Sequence, residues 1–124
     1  MNKILCLTVA GIAGTFARYG LAGLVYQRLG ADFPYGTLVV NLVGCFLIGF
    51  FDALVQEKFL LGPQMRLLLM TGFCGAFTTF STFMLETSNL VKDGEPMKAF
   101  LNVLMSIVIG FLVFRLGVLL GKFI

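Results

Sequence analysis

The chain has 124 residues, of which 59% are hydrophobic and 12% charged; nine Lys and Arg against six Asp and Glu give a net charge of +3. With a mean hydropathy of +1.00 and neither histidine nor tryptophan, it reads as an integral membrane protein. The same composition argues against an enzyme, which would have no histidine for acid–base or metal chemistry, and against nucleic-acid binding, because the basic residues are scattered with no patch.

A spanning helix needs about 20 mostly apolar residues, and four segments qualify: residues 4–26, 36–55, 66–89 and 97–122. The first is too long, too glycine-rich and too interrupted by Arg18 for a cleaved signal peptide, so it is expected to stay in the mature chain. Arg18 lies eight residues before Tyr26, about 12 Å of axial rise from that end. An arginine there either snorkels toward headgroups or faces the bundle interior and attracts an anion. Gly30, Asp32 and Pro34 punctuate the next turn, with Pro34 suited to opening the second helix.

In the second segment Thr37, Asn41, Gly44 and Ile48 share one face, so one side of that helix is polar. Asn41 is either an interhelical hydrogen bond holding the bundle together or a donor pointing into a pore. Lys58, Gly62 and Pro63 mark the next turn.

The third segment carries the most informative run, residues 72–83, where Gly72, Gly75, Thr78, Thr79, Ser81 and Thr82 interrupt an apolar stretch. Glycine weakens a helix, and hydroxyls compete for its backbone hydrogen bonds. The run predicts a spanning helix broken mid-membrane near residues 75–79. Backbone groups freed in lipid survive only if buried in protein, lining water or bound to an ion, so the break is a site hypothesis by default. Phe73, Phe77 and Phe80 recur at helical spacing, and Phe83 follows Phe80 by three residues. Such a stripe is core packing by default, yet ring edges carry the positive end of the aromatic quadrupole and can face a small anion. Glu86 is the candidate counter-charge for Arg18.

Residues 92–96 form the last turn, and the fourth segment sets Asn102, Ser106 and Gly110 at four-residue intervals, with Arg115 near its end. Cys6, Cys45 and Cys74 all fall in apolar segments and read as packing residues, neither disulfides nor metal ligands. Short connections predict one four-helix transmembrane domain over residues 1–124.

If the chain crosses four times, Lys3, Lys58, Arg66 and Lys122 lie on one side and Arg28, Lys92 and Lys98 on the other. Four against three is almost no positive-inside bias. The expectation is a chain that inserts in both orientations and pairs with an inverted copy, since four small helices are too few to enclose a pathway. Glycines at 11, 14, 20, 23, 44, 49, 117 and 121 provide for close helix contacts.

The run at 72–83 resembles the signature of the Fluc/CrcB fluoride channel family. Residues 36–44, with Thr37 and Asn41, resemble that family's second helix, and Gly11 to Gly14 followed by Arg18 and Tyr19 resemble its first. The resemblance implies an all-α, dual-topology antiparallel homodimer in the bacterial inner membrane, passing fluoride passively out of the cell through two pores. It implies that Phe80 and Phe83 present ring edges to fluoride, that Asn41 donates a hydrogen bond, and that Ser81, Thr82 and Glu86 are polar groups beside the pore; Thr37, on the Asn41 face, is expected with the pore residues, and Ser106 with the vestibule's polar groups, on a fourth-helix stripe that either lines a path or packs. It places Arg18 by the aqueous vestibule and assigns the carbonyls of Gly75 and Thr78 to a central structural sodium ion shared by both subunits. Ala76 stands where glycine is expected in many members. A small dual-topology multidrug exporter and a non-conducting structural subunit are the competing readings; the first needs a membrane-embedded carboxylate, where this first helix offers Arg18.

Overall fold

Four crossings, each long and apolar enough to span a membrane, make up the fold: α1 (Lys3–Leu29), α2 (Tyr35–Gln56), a composite third crossing (Pro63–Lys92) and α6 (Pro96–Phe123). The structure is a computed structural model that describes residues 2–124. The third crossing runs through α3 (Pro63–Arg66), a π-helical stretch (Leu67–Cys74), α4 (Gly75–Phe77), a non-helical break and α5 (Ser81–Lys92). No strand occurs among the described residues, so the expected all-α membrane architecture with a broken third crossing is what forms.

Local chemistry sets the ends. Asn2 caps α1, its Oδ1 accepting from the Ile4 amide at 2.7 Å. Gly30 ends α1 at φ 85°, its amide donating to Tyr26 O, in a conformation that excludes most side chains. Pro63 and Pro96 occupy first-turn positions of α3 and α6, where a missing N–H costs nothing.

α2 packs chiefly on α6, whereas α1 lies against the π-helical stretch and α4. Glycine makes the first seam: a Cβ on Gly49 would collide with Phe114 O, and one on Gly117 with Phe46 O. Close backbone approach replaces the hydrophobic drive that lipid does not provide. Gly11, Gly20 and Gly23 have open space at their Cβ positions and make no such contact within the chain. Gly117→Val is therefore expected to force α2 and α6 apart at a cost of about 1–3 kcal/mol. Loss of the monodisperse species in detergent chromatography checks this, with Gly20→Val as the tolerated comparison for the single-chain fold.

The π-helical stretch had no signature in the sequence reading. Its wider turn sits where α1 crosses closely, with the Gly72 Cβ position 2.6 Å from Ala10 Cβ. Eight residues is long for π geometry, which occurs mostly as single turns and often beside functional sites.

Candidate functional site

The break occurs at Thr78, whose ψ of 157° is extended while Cys74, Gly75 and Phe77 remain helical. Gly75 is thus not the point of departure; it opens α4, and the chain leaves helical geometry at residues 78–80. Hydroxyl and amide side chains explain the difference. Cys74 O accepts from both the Thr78 amide (3.1 Å) and Thr78 Oγ1 (2.9 Å). The Thr79 amide turns to Asn41 Oδ1 at 2.9 Å, and Asn41 Nδ2 donates back to Thr79 O at 3.0 Å. This two-point bond fixes the orientation of the Asn41 amide, since an N–H faces only its oxygen and a carbonyl only its NH2.

Two further side chains complete the repair. Arg18 Nε donates to Ala76 O at 3.1 Å, replacing the helical bond that the Phe80 amide would otherwise make. Thr79 Oγ1 accepts from the Thr82 amide at 3.3 Å and caps the start of α5. A Cβ on Gly44 would strike Thr78 Cγ2, so that glycine is what admits the break against α2.

The repair is partial. Among the described residues the carbonyls of Gly75, Phe77 and Thr78 accept no hydrogen bond, and the amides of Phe80, Ser81 and Phe83 donate none. An unmet backbone group away from water costs about 1–3 kcal/mol, so these groups call for water, an ion or a second chain. The amides lie at the positive end of the α5 dipole, and one Asn41 Nδ2 hydrogen is also spare.

Two clefts meet at this point. One of about 330 Å³ is lined by Asn41, Thr78, Thr79, Phe80, Phe83 and Ser106 among others. The second, of about 440 Å³, holds Arg18, Thr37, Thr82 and Glu86, and Thr79 borders both. Glu86 Oε2 accepts from the Tyr26 hydroxyl at 2.9 Å, while its Oε1 is buried without a partner.

A family model described as CrcB-like protein, Camphor Resistance (CrcB), matches residues 5–118. The chain belongs to this CrcB family. Relatives named fluoride-specific ion channel FluC include one from Solidesulfovibrio magneticus, 45% identical over 124 residues and covering all of this chain and 99% of its own. One from Chlorobium phaeobacteroides is 48% identical over 119 residues, 96% of this chain and 92% of the relative. One from Chlorobaculum tepidum is also 48% identical, over 122 residues, with 98% and 96% covered.

In this CrcB-family chain the positions singled out from the sequence divide between the two clefts. Asn41, Phe80, Phe83 and Ser106 share the first with Thr78; Arg18, Thr37, Thr82 and Glu86 share the second. Ser81 is exposed and belongs to neither lining. Arg18 and Glu86 face the same cleft without forming an ion pair: the arginine goes to a backbone carbonyl and the carboxylate to Tyr26. The phenylalanine stripe splits, with Phe77 buried and stacked on Phe73 at 5.6 Å, while Phe80 and Phe83 turn to the cleft with centroids 5.9 Å apart. Phe83 is 8% exposed and Phe80 72%, so within one chain only half of this aromatic pair is enclosed.

Sequence reading did not single out Tyr26, the Thr79 backbone or Thr87. Thr79 lay within the polar run and was legible in principle; Tyr26 gave no signal, since its role depends on Gly36 leaving room for the ring. Asn102, 2% exposed, donates to Thr87 Oγ1 at 3.0 Å and ties α6 to α5.

Proposed function

We propose that this chain is a passive fluoride channel, working as an antiparallel homodimer with two pathways in a bacterial inner membrane. The observation that carries the reading is the break itself. It sets the spare Asn41 N–H and the phenyl rings of Phe80 and Phe83 beside the free amides at the positive end of α5. Relatives named as fluoride-specific channels, similar over essentially the whole chain, support fluoride as the ion.

The chemistry follows from the ion. Fluoride is small and strongly hydrated, so a pathway must replace water ligands with donors, each weak enough to let go. Arg18 in the wider cleft gathers anions electrostatically. At the break, N–H donors and ring edges substitute for water without a full charge to trap the ion. Hydrogen bonding turns one Glu86 oxygen toward Tyr26.

The proposed sodium ion fits what the chain offers. Gly75 and Thr78 present carbonyls that accept no hydrogen bond among the described residues, and such hard oxygens suit sodium. Gly75 is exposed with open space at its Cβ position, accessible to a second copy bringing the same pair of carbonyls. When bound, the ion would satisfy those oxygens and add a fixed positive charge beside the pathways. The exposed Ile12, Phe16, Tyr19 and Phe80 supply apolar surface for that second copy.

Cationic drug export would use Glu86 as its carboxylate, but Arg18 shares that cleft and opposes a cation. Cells lacking their own fluoride export test the proposal. Expression of this chain is expected to lower intracellular fluoride several-fold at fixed external fluoride, read by electrode after lysis; levels equal to the empty vector, with the protein in the membrane, contradict it.

A further inference from the structure

Beyond the proposed pathway, at one membrane boundary, a cleft of about 730 Å³ opens between the end of α2 and the start of the third crossing. Its lining joins the apolar Val55, Phe59, Leu61 and Leu67 to the polar Gln56, Arg66 and Thr71. Thr71 follows Arg66 by five positions, along the π-helical stretch. The cleft thus sets a cationic group beside apolar walls where two spanning segments end.

The charges around the rim are unbalanced. Glu57 pairs with Lys122 at 3.8 Å, which leaves Lys58 and Arg66 with no acidic partner among the described residues. The loop also commits aromatic surface outward. Phe59 is held at φ 52°, a left-handed conformation uncommon for a bulky side chain, and its ring is 84% exposed, followed by Leu60 at 62%. Hydrogen bonds on either side, Lys58 N to Ala53 O at 3.3 Å and Leu60 N to Leu54 O at 2.9 Å, pin that conformation. Exposed apolar side chains beside unpaired cations at a helix end suit neither water nor hydrocarbon; they suit the interface of a bilayer.

We propose that this cleft is a binding site for an anionic phospholipid, with Arg66 holding the phosphate, the upper chain methylenes lying on Leu61 and Leu67, and Phe59 anchored alongside in the interface. Free phosphate would leave those apolar walls unused, so the lipid is the occupant. The inference is independent of which ion the pathway carries.

The chain contains no tryptophan, so Phe59→Trp creates a single tryptophan reporter at the site, excited selectively over the tyrosines. The experiment reconstitutes this protein into liposomes containing equal fractions of phosphatidylglycerol and phosphatidylcholine, with bromine placed on the chains of one lipid or the other. Brominated phosphatidylglycerol is expected to quench the reporter much more strongly, reflecting about fivefold local enrichment, the worth of one basic residue at an anionic surface. Adding Arg66→Gln should equalise the two lipids, and Arg66→Lys should keep most of the preference. Equal quenching by both lipids in the Arg66 protein overturns the proposal. So does absence of quenching by either, which would mean that water or a second copy covers the cleft, and so does a preference that survives Arg66→Gln. The two-lipid comparison within the Arg66 protein decides the matter even if Arg66→Gln fails to fold.

Discussion

Replacing Asn41 with aspartate is expected to reduce fluoride efflux from proteoliposomes by about a hundredfold, the equivalent of roughly 3 kcal/mol for a charged side chain at membrane depth. Aspartate keeps the acceptor for the Thr79 amide but loses the donor to Thr79 O, setting a carboxylate against that carbonyl and against the passing anion. Asn41→Ala acts differently. It strands both Thr79 backbone groups, at about 1–3 kcal/mol each, and should speed hydrogen exchange at the Thr79 amide as well as depress flux. The pair of variants separates the two roles considered for this residue: the structure shows an acceptor and a donor fixed on the break, and the proposed pathway uses the one amide hydrogen left over. Wild-type flux in Asn41→Ala would remove the amide from the pathway.

Phe80→Ile and Phe83→Ile are each expected to lower flux by at least about tenfold while leaving the assembled protein intact, because isoleucine keeps the apolar character but has no positive ring edge. The two positions guard against a folding artefact. Phe83 is buried, and its replacement carries a packing penalty of the kind that follows other core truncations. Phe80 is 72% exposed in the single chain, so its replacement costs the fold of that chain almost nothing. Flux lost in Phe80→Ile with unchanged elution and helix content must therefore come from the ring's place in the pathway or its enclosure by a second copy. Cross-linking yield separates those outcomes. Unaltered flux in both variants takes the rings out of the mechanism.

Much of this was legible in the sequence because lipid restricts what a chain can do. Twenty-residue apolar segments punctuated by Pro34, Pro63 and Pro96 allow little except spanning helices, and the four crossings follow from them. The run of glycine and hydroxyl residues at 72–83 points to a break near residues 75–79, and the chain leaves helical geometry at 78–80. Gly75 stays helical, and the departure comes where Thr78 and Asn41 offer the backbone competing partners. Pairings across the bundle were out of reach. Arg18 and Glu86 invited an ion pair by charge alone, yet a freed carbonyl and a tyrosine hydroxyl 58 and 60 residues away in sequence claim them instead. The π-helical stretch was equally hidden; it lies where α1 crosses closely at Gly72, a contact between segments distant in sequence.

The most direct test is passive fluoride efflux from liposomes that contain only this purified protein. Potassium and valinomycin dissipate the counter-charge, no proton gradient is imposed, and chloride serves as the comparison ion. The account predicts rapid fluoride release on valinomycin addition with chloride retained. No fluoride release from demonstrably folded protein, or release only when a proton gradient is supplied, would contradict it.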